Sequence, residues 1–190
     1  MPRLKLYLKD KHAAFEAGQI KTHHQAWQDL TSDSEILQTV RGVKITFDSD
    51  PNKTNQLKQK RFGKDEEVSI DTEITKLLTK KVIVESSDEA GQIVSPIFVR
   101  EKKDGSHRMI LNLKALNESV EYKKFKMETL QTALNLVCQN CFFASIDLRD
   151  AYYTVPIAEN FKKYFKFRWK GKLYCFQAAA MGLGPIPRVF

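Results

Sequence analysis

At 190 residues, with 42% hydrophobic and 28% charged side chains, the chain is long and apolar enough to bury a core, which excludes a wholly disordered protein. Lys and Arg outnumber Asp and Glu by 31 to 23, a formal net charge of +8 that favours an anionic partner, nucleic acid foremost, although a basic protein without a special partner has the same charge. No apolar run is long enough to span a membrane, no signal-peptide core follows Met1-Pro2-Arg3-Leu4-Lys5, and three cysteines do not indicate a disulfide framework.

Residues 1–62 read as a polar N-terminal extension. Within it, Ser32, Asp33 and Ser34 supply helix-start chemistry ahead of Ile36, Leu37 and Val40, with Gly42 as the stop. Val43, Ile45 and Phe47 alternate with polar residues and predict a short strand; residues 50–60, with Pro51, read as a loop. From residue 63 the pattern changes. Ser69 is expected to cap a helix that carries Ile70, Ile74, Leu77 and Leu78 on one face, with Lys76, Lys80 and Lys81 toward its end. Val82-Ile83-Val84 is β-branched and expected to be extended.

Residues 93–99 and 109–113 predict a hairpin around the polar stretch 102–106. Met127, Leu130, Leu134 and Val137 recur at helical spacing, and residues 142–146 are an apolar run that fits a buried strand. Residues 164–169 and 172–176 flank Lys170-Gly171, and a two-residue turn there sets Phe165 opposite Phe176 and Phe167 opposite Tyr174. Helices and hairpins without regular βαβ alternation give an α+β class. Cys138 and Cys141 form a C-x-x-C with no second pair at ligand spacing, so neither zinc nor redox chemistry is indicated; an intracellular protein with reduced thiols is expected.

Chemistry concentrates at Asp147, which closes the apolar run 142–146. A buried carboxylate needs a compensating partner, either a Lys or Arg or a divalent cation, and the strand-end position alone favours the ion pair. Its surroundings add to this. Ala144-Ser145-Ile146-Asp147-Leu148-Arg149-Asp150-Ala151-Tyr152-Tyr153-Thr154-Val155-Pro156-Ile157 resembles the first carboxylate motif of reverse transcriptases. Upstream, Ser95-Pro96-Ile97-Phe98-Val99 through Lys102-Lys103-Asp104-Gly105-Ser106-His107-Arg108 to Leu116-Asn117 resembles the fingers hairpin of that family. Downstream, Met181-Gly182-Leu183-Gly184-Pro185-Ile186-Pro187-Arg188-Val189-Phe190 resembles its template-grip motif. The three motifs stand in the family's order over residues 70–190. Gln19-Ile20, Trp27, Thr31-Ser32-Asp33, Ile36-Leu37, residues 42–47 and the Pro187-Arg188-Val189-Phe190 ending are similar to DIRS-type retrotransposons, the elements that integrate with a tyrosine recombinase.

The resemblance implies a right-hand polymerase fold of which residues 63–190 supply the fingers and part of the palm, and an RNA-directed DNA polymerase activity on deoxynucleoside triphosphates (dNTPs) and an RNA or DNA template-primer. Nucleotide addition is phosphoryl transfer, in which two magnesium ions about 4 Å apart clamp the attacking and leaving oxygens. Asp147 is then the catalytic carboxylate and a magnesium ligand, with the carbonyl of Leu148 as a backbone ligand. Lys102 and Arg108 contact the incoming triphosphate, where the planar guanidinium grips two phosphate oxygens; the alternative for both is a solvated turn charge. Asp150 and Ala151 approach the triphosphate through their backbone. Tyr152 lies under the sugar and excludes a 2′-hydroxyl, or else packs in a turn. Met181 and Gly182 face nucleotide and template, Gly182 through close backbone approach, and Pro187 marks the next helix start. The sequence departs from the family at Met181 and at Gly184-Pro185-Ile186.

The family's remaining carboxylates come from a Tyr-x-Asp-Asp-like hairpin, which these 190 residues do not contain. The chain is therefore expected to be a fragment that does not polymerise DNA alone and binds magnesium weakly or not at all, its parent supplying the missing palm, thumb, ribonuclease H and recombinase regions. Two other readings stay open: a non-catalytic nucleic-acid-binding module, and a poorly folded remnant. Cytoplasm and nucleus are equally open, and no membrane partner is expected.

Overall fold

The computed structural model describes residues 15–53, 57–101, 105, 107–142, 144, 148 and 150–189. A 3-10 turn over Gln19–His23 leads into α1 (His24–Leu30), and α2 (Ser34–Arg41) follows. Asp33 caps α2, its carboxylate accepting the amides of Glu35 at 2.8 Å and Ile36 at 3.2 Å. Gly42 ends it where a side chain would meet the Ala158 backbone at 3.0 Å. The expected strand over residues 43–47 is an extended segment instead. Its two bridges land on different partners, Val43 on Ile157 and Phe47 on Val120, so no continuous ladder forms. Val43 and Ile45 are nonetheless buried in the same cluster as residues beyond 63.

The next helix, α3 (Lys64–Thr79), begins at Lys64 and not at the expected Ser69. The Gly63 amide donates to the Glu66 carboxylate at 2.8 Å, and Asp65, Glu66 and Glu67 set three carboxylates at the positive end of the helix dipole. Ser69 sits inside the helix, its hydroxyl 3.4 Å from His107 Nδ1. At the other end Lys81 takes a left-handed φ of 55°, and the amides of Val82 and Lys81 reach back to the carbonyls of Leu77 at 2.9 Å and Leu78 at 3.0 Å, a Schellman closure.

Strand β1 (Ile83–Ser86) follows, then β2 (Ile97–Glu101) and β3 (His107–Leu111), which pair antiparallel with Ile97 opposite Leu111 and Arg100 opposite Arg108. Short α4 (Lys114–Asn117) and α5 (Leu130–Asn135) come next. The helix expected from the spacing of residues 127–137 is thus confined to its middle, and Leu130, Leu134, Leu136 and Val137 are exposed. The strand expected at residues 142–146 lies mostly outside the described residues; of it, Phe142 and Ala144 are described, and both are exposed.

Two 3-10 turns, Ala151–Thr154 and Glu159–Tyr164, precede β4 (Lys166–Trp169), β5 (Lys172–Phe176) and the final helix α6 (Ile186–Val189). Lys170 and Gly171 both take positive φ, 45° and 81°, the geometry of the type I′ turn that matches strand twist. Phe167 faces Tyr174 with ring centroids 5.2 Å apart, and the Phe176 amide donates to the Phe165 carbonyl at 3.0 Å, the expected register.

The sheet runs in the order β1-β5-β4, and β2 and β3 form a separate two-stranded unit. Ile70, Ile74 and Leu77 of α3 pack with Phe165, Phe167, Tyr174 and Phe176 of the sheet and with Ile97 and Leu111 of the hairpin. The architecture is α+β. Lys166 is 1% exposed yet fully satisfied: its ammonium donates to the carbonyl of Ser87 at 2.8 Å and to Gln92 at 3.1 Å, and pairs with Glu89 at 2.6 Å. It thereby ties the loop after β1 to β4. Among the described residues no helix is long and apolar enough to cross a membrane.

Replacing Lys166 by Met strands the three partners of its ammonium. The urea-derived stability should fall by about 1–3 kcal/mol, less than for a wholly buried pair because Glu89 reaches solvent; an unchanged midpoint would show that the ammonium holds nothing. Burial pushes the Cys175 thiol up to about 11, whereas Cys138 is exposed and Cys141 half-buried. An aromatic disulfide reagent at neutral pH should therefore modify Cys138 and Cys141 at once and Cys175 only in urea; rapid modification of Cys175 would mean that the sheet around β5 is open.

Candidate functional site

Two of the predicted triphosphate residues, Arg108 and Asp150, come from β3 and from the turn before the first of the late 3-10 helices, and the charges of both act on Tyr153. Its phenol is pushed up to about 12, by burial first and then by the carboxylates of Glu73 and Asp150, with Arg108 opposing them. Asp150 takes a left-handed φ of 55° and caps the 3-10 turn Ala151–Thr154; its carbonyl accepts the Tyr153 amide at 2.9 Å. Its carboxylate lies 2.6 Å from the Lys80 ammonium, a partly buried pair with side chains 19% and 28% exposed. Ala151 and Tyr152 are half-buried, and Tyr152 packs against the core.

Arg108 is exposed and stands directly opposite Arg100 on the neighbouring strand. Like charges at facing positions of an antiparallel pair destabilise it, and here two guanidinium side chains share one face of the hairpin. The sequence reading missed Arg100. Counting the hairpin register outward from its turn would have found it.

At the other end of β3 lies the turn that contains Gly182. A Cβ placed on Gly182 would sit 3.9 Å from the Leu111 carbonyl, so space is not what demands glycine here; its φ of 94° is. Asn117 at the end of α4 holds this turn with both ends of its carboxamide. Its Nδ2 donates to the Gly182 carbonyl at 2.8 Å, and its Oδ1 accepts the Gly184 amide at 3.0 Å. Met181 is exposed beside it, and Pro187 lies in the first turn of α6, as expected. Asn117 closes the hairpin motif in the sequence, but nothing in the spacing reveals that it binds residues 65 and 67 positions away.

From the Gly184 end of this turn a groove of about 400 Å³ opens, with Lys44, Tyr122, Lys123, Phe125 and Arg188 on its walls. Tyr122 is 78% exposed and Phe125 40%, so both rings offer a face to a ligand. Glu35 approaches Arg188 at 3.6 Å. A second groove, about 380 Å³, has Lys21, Arg41, Lys81 and Lys162 on its walls, with Lys81 paired to Glu16 at 3.1 Å and Lys162 to Glu159 at 2.6 Å.

Asp147 and Lys102 lie outside the described residues, and Leu148 is exposed. Among the described residues no three His, Cys, Asp or Glu side chains converge as a metal site.

No protein-family model matches the chain. Over 134 residues, 66% of its length, the chain is 28% identical to Polyprotein P3 of Commelina yellow mottle virus, of which it spans 7%. Over 146 residues, 75% of its length, it is 25% identical to the enzymatic polyprotein of cauliflower mosaic virus, strain Strasbourg, of which it spans 21%. Among solved structures, the protease–reverse transcriptase of prototype foamy virus matches with a TM-score of 0.66 and 22% identity, covering 90% of this chain and 23% of that one. The foamy viral protease–reverse transcriptase in complex with an RNA/DNA hybrid matches with a TM-score of 0.63 and 20% identity, covering 77% of this chain and 20% of that one. The chain thus spans less than a quarter of each of these proteins, and what it shares with them is a reverse-transcriptase-like domain fold.

Proposed function

We propose that this domain belongs to a retroelement RNA-directed DNA polymerase, where it binds the incoming dNTP and the template. The observation that carries the reading is the course of β3. The strand carries Arg108 of one motif near its start, and its end at Leu111 lies beside Gly182 of another, so that two motifs far apart in sequence share one short strand. The facing Arg100 and Arg108 suit triphosphate oxygens, because guanidinium groups grip phosphate oxygens in pairs and phosphoryl transfer depends on positioning and on stabilising negative charge. Tyr152, anchored against the core, is proposed as the surface under the sugar.

The groove beyond Gly184 combines exposed aromatic rings with Lys44, Lys123 and Arg188, the pairing that holds a single strand by base stacking and phosphate contact without reading its sequence. The foamy viral relative in complex with an RNA/DNA hybrid supports a nucleic-acid partner. Asp147 and the Leu148 carbonyl are proposed as the magnesium ligands. The described residues do not by themselves assemble a metal site, so no step is routed through the ion. A DIRS-type origin is supported by the motifs of residues 19–47 and 187–190. Because the 190 residues hold no Tyr-x-Asp-Asp-like motif, polymerisation is proposed only for a protein that also supplies one, with binding as the function of the chain by itself.

Fluorescence anisotropy with a labelled single-stranded oligonucleotide tests this reading. Affinity should fall linearly on a log–log plot with salt, by about 0.7 in slope per phosphate contacted. Tyr122→Ala should cost about 1–3 kcal/mol through lost stacking, and Lys123→Ala should flatten the slope by about one contact. Absence of binding at low salt, or binding indifferent to salt, would remove the nucleic-acid reading.

A further inference from the structure

Four consecutive residues near the start of the described chain, 15–18, each touch the end of α3 or the turn at 150–156. The Phe15 ring lies under the Lys80 ammonium, 5.7 Å from its centroid. Glu16 pairs with Lys81 at 3.1 Å. The Ala17 amide donates to the Lys80 carbonyl at 3.0 Å. The Gly18 amide donates to the Tyr153 carbonyl at 2.8 Å, at a φ of 70° and with Pro156 so near that a Cβ would stand 3.0 Å from its side chain. Lys80 itself caps α3 and reaches Asp150.

We propose that residues 15–18 together with Lys80 form a positioning clamp that holds the Asp150 turn in its nucleotide-accepting conformation. The inference rests on the dNTP reading of that turn. Its physical basis is the conformation of Asp150. A left-handed backbone costs Asp more than Gly, although Asp tolerates it better than most residues, so contacts from outside the turn add to its population. The Lys80 ammonium draws the carboxylate from one side, and the Gly18 amide fixes the Tyr153 carbonyl from the other. Neither group needs to touch the nucleotide. Both act by keeping the amides of 150–152 where a triphosphate can meet them, so releasing either lowers the fraction of molecules ready to bind.

The test is calorimetric titration of the full 190-residue chain with dTTP in magnesium buffer, beside anisotropy with a single-stranded oligonucleotide on the same samples. Lys80→Met removes the ion pair, and Gly18→Ala disturbs the strap without changing charge. Each should weaken dTTP binding about tenfold, as expected when the competent fraction falls to about one tenth, with the oligonucleotide affinity unchanged. Lys80→Arg should restore most of the loss. Wild-type binding of dTTP with both variants indistinguishable from it would overturn the clamp and leave the dNTP reading standing. Parallel loss of both ligands would also overturn it, since the contacts would then hold up the fold and not the turn. A wild-type chain that does not bind dTTP would remove the dNTP reading and the clamp with it.

Discussion

Burial of Ile70, Ile74 and Leu77 along one face of α3 decides where both hairpins and the Asp150 turn can lie. Each such side chain contributes about 1.5–3 kcal/mol when wholly removed from water, and together they fix the helix against β3 on one side and β1 on the other. Polar contacts then set the details. Asp71, one residue beyond Ile70, receives the Trp169 indole N–H and the Lys170 ammonium, both at 2.7 Å, and so ties the tip of the β4–β5 hairpin to the helix. Phe62, just ahead of the helix, meets the Trp169 ring edge-on at 5.6 Å. The far end of α3 delivers Lys80 to Asp150. One helix thus serves the β2–β3 hairpin, the sheet and the Asp150 turn.

The Asp71 contact also carries a pH dependence. The Lys170 ammonium first, and then the Trp169 indole, hold the Asp71 carboxyl below its ordinary value of 3.8. A carboxyl whose folded value is depressed adds stability above the unfolded value and loses it as pH falls through the folded one, so this contact is intact at neutral pH and is lost only in acid below 3.8. Because the group is solvent-exposed, screening keeps its contribution small.

Much of this was legible in the sequence wherever local chemistry decides the outcome. The Asp33 cap, the Gly42 stop and the register of Phe167 against Tyr174 all follow from neighbouring residues. The start of α3 was misjudged because Ser69 is a good cap in isolation, whereas the Gly63 amide bound by Glu66, with two further acids beside it, begins the helix earlier. Residues 43–47 have the composition of a strand, but a strand exists only where a partner runs alongside, and composition does not reveal partners. Arg108, Asp150 and Gly182 were singled out from motifs. Asn117 and Lys80 were not, because each acts across the fold on a residue distant in sequence, and Arg100 shows only once the hairpin register is counted.

The groove and the nucleotide corner share a scaffold, since Asn117 borders the groove and also fixes the turn at Gly182 that lies beside β3. A nucleic acid seated in the groove would therefore lie beside the turn at Gly182. Photocrosslinking of a single-stranded oligonucleotide carrying 5-bromouracil, followed by peptide mapping, tests this most directly. The account predicts adducts at Tyr122, Phe125 and the residues around Gly184. Adducts confined to the other basic groove, at Lys21, Arg41 or Lys162, would contradict it.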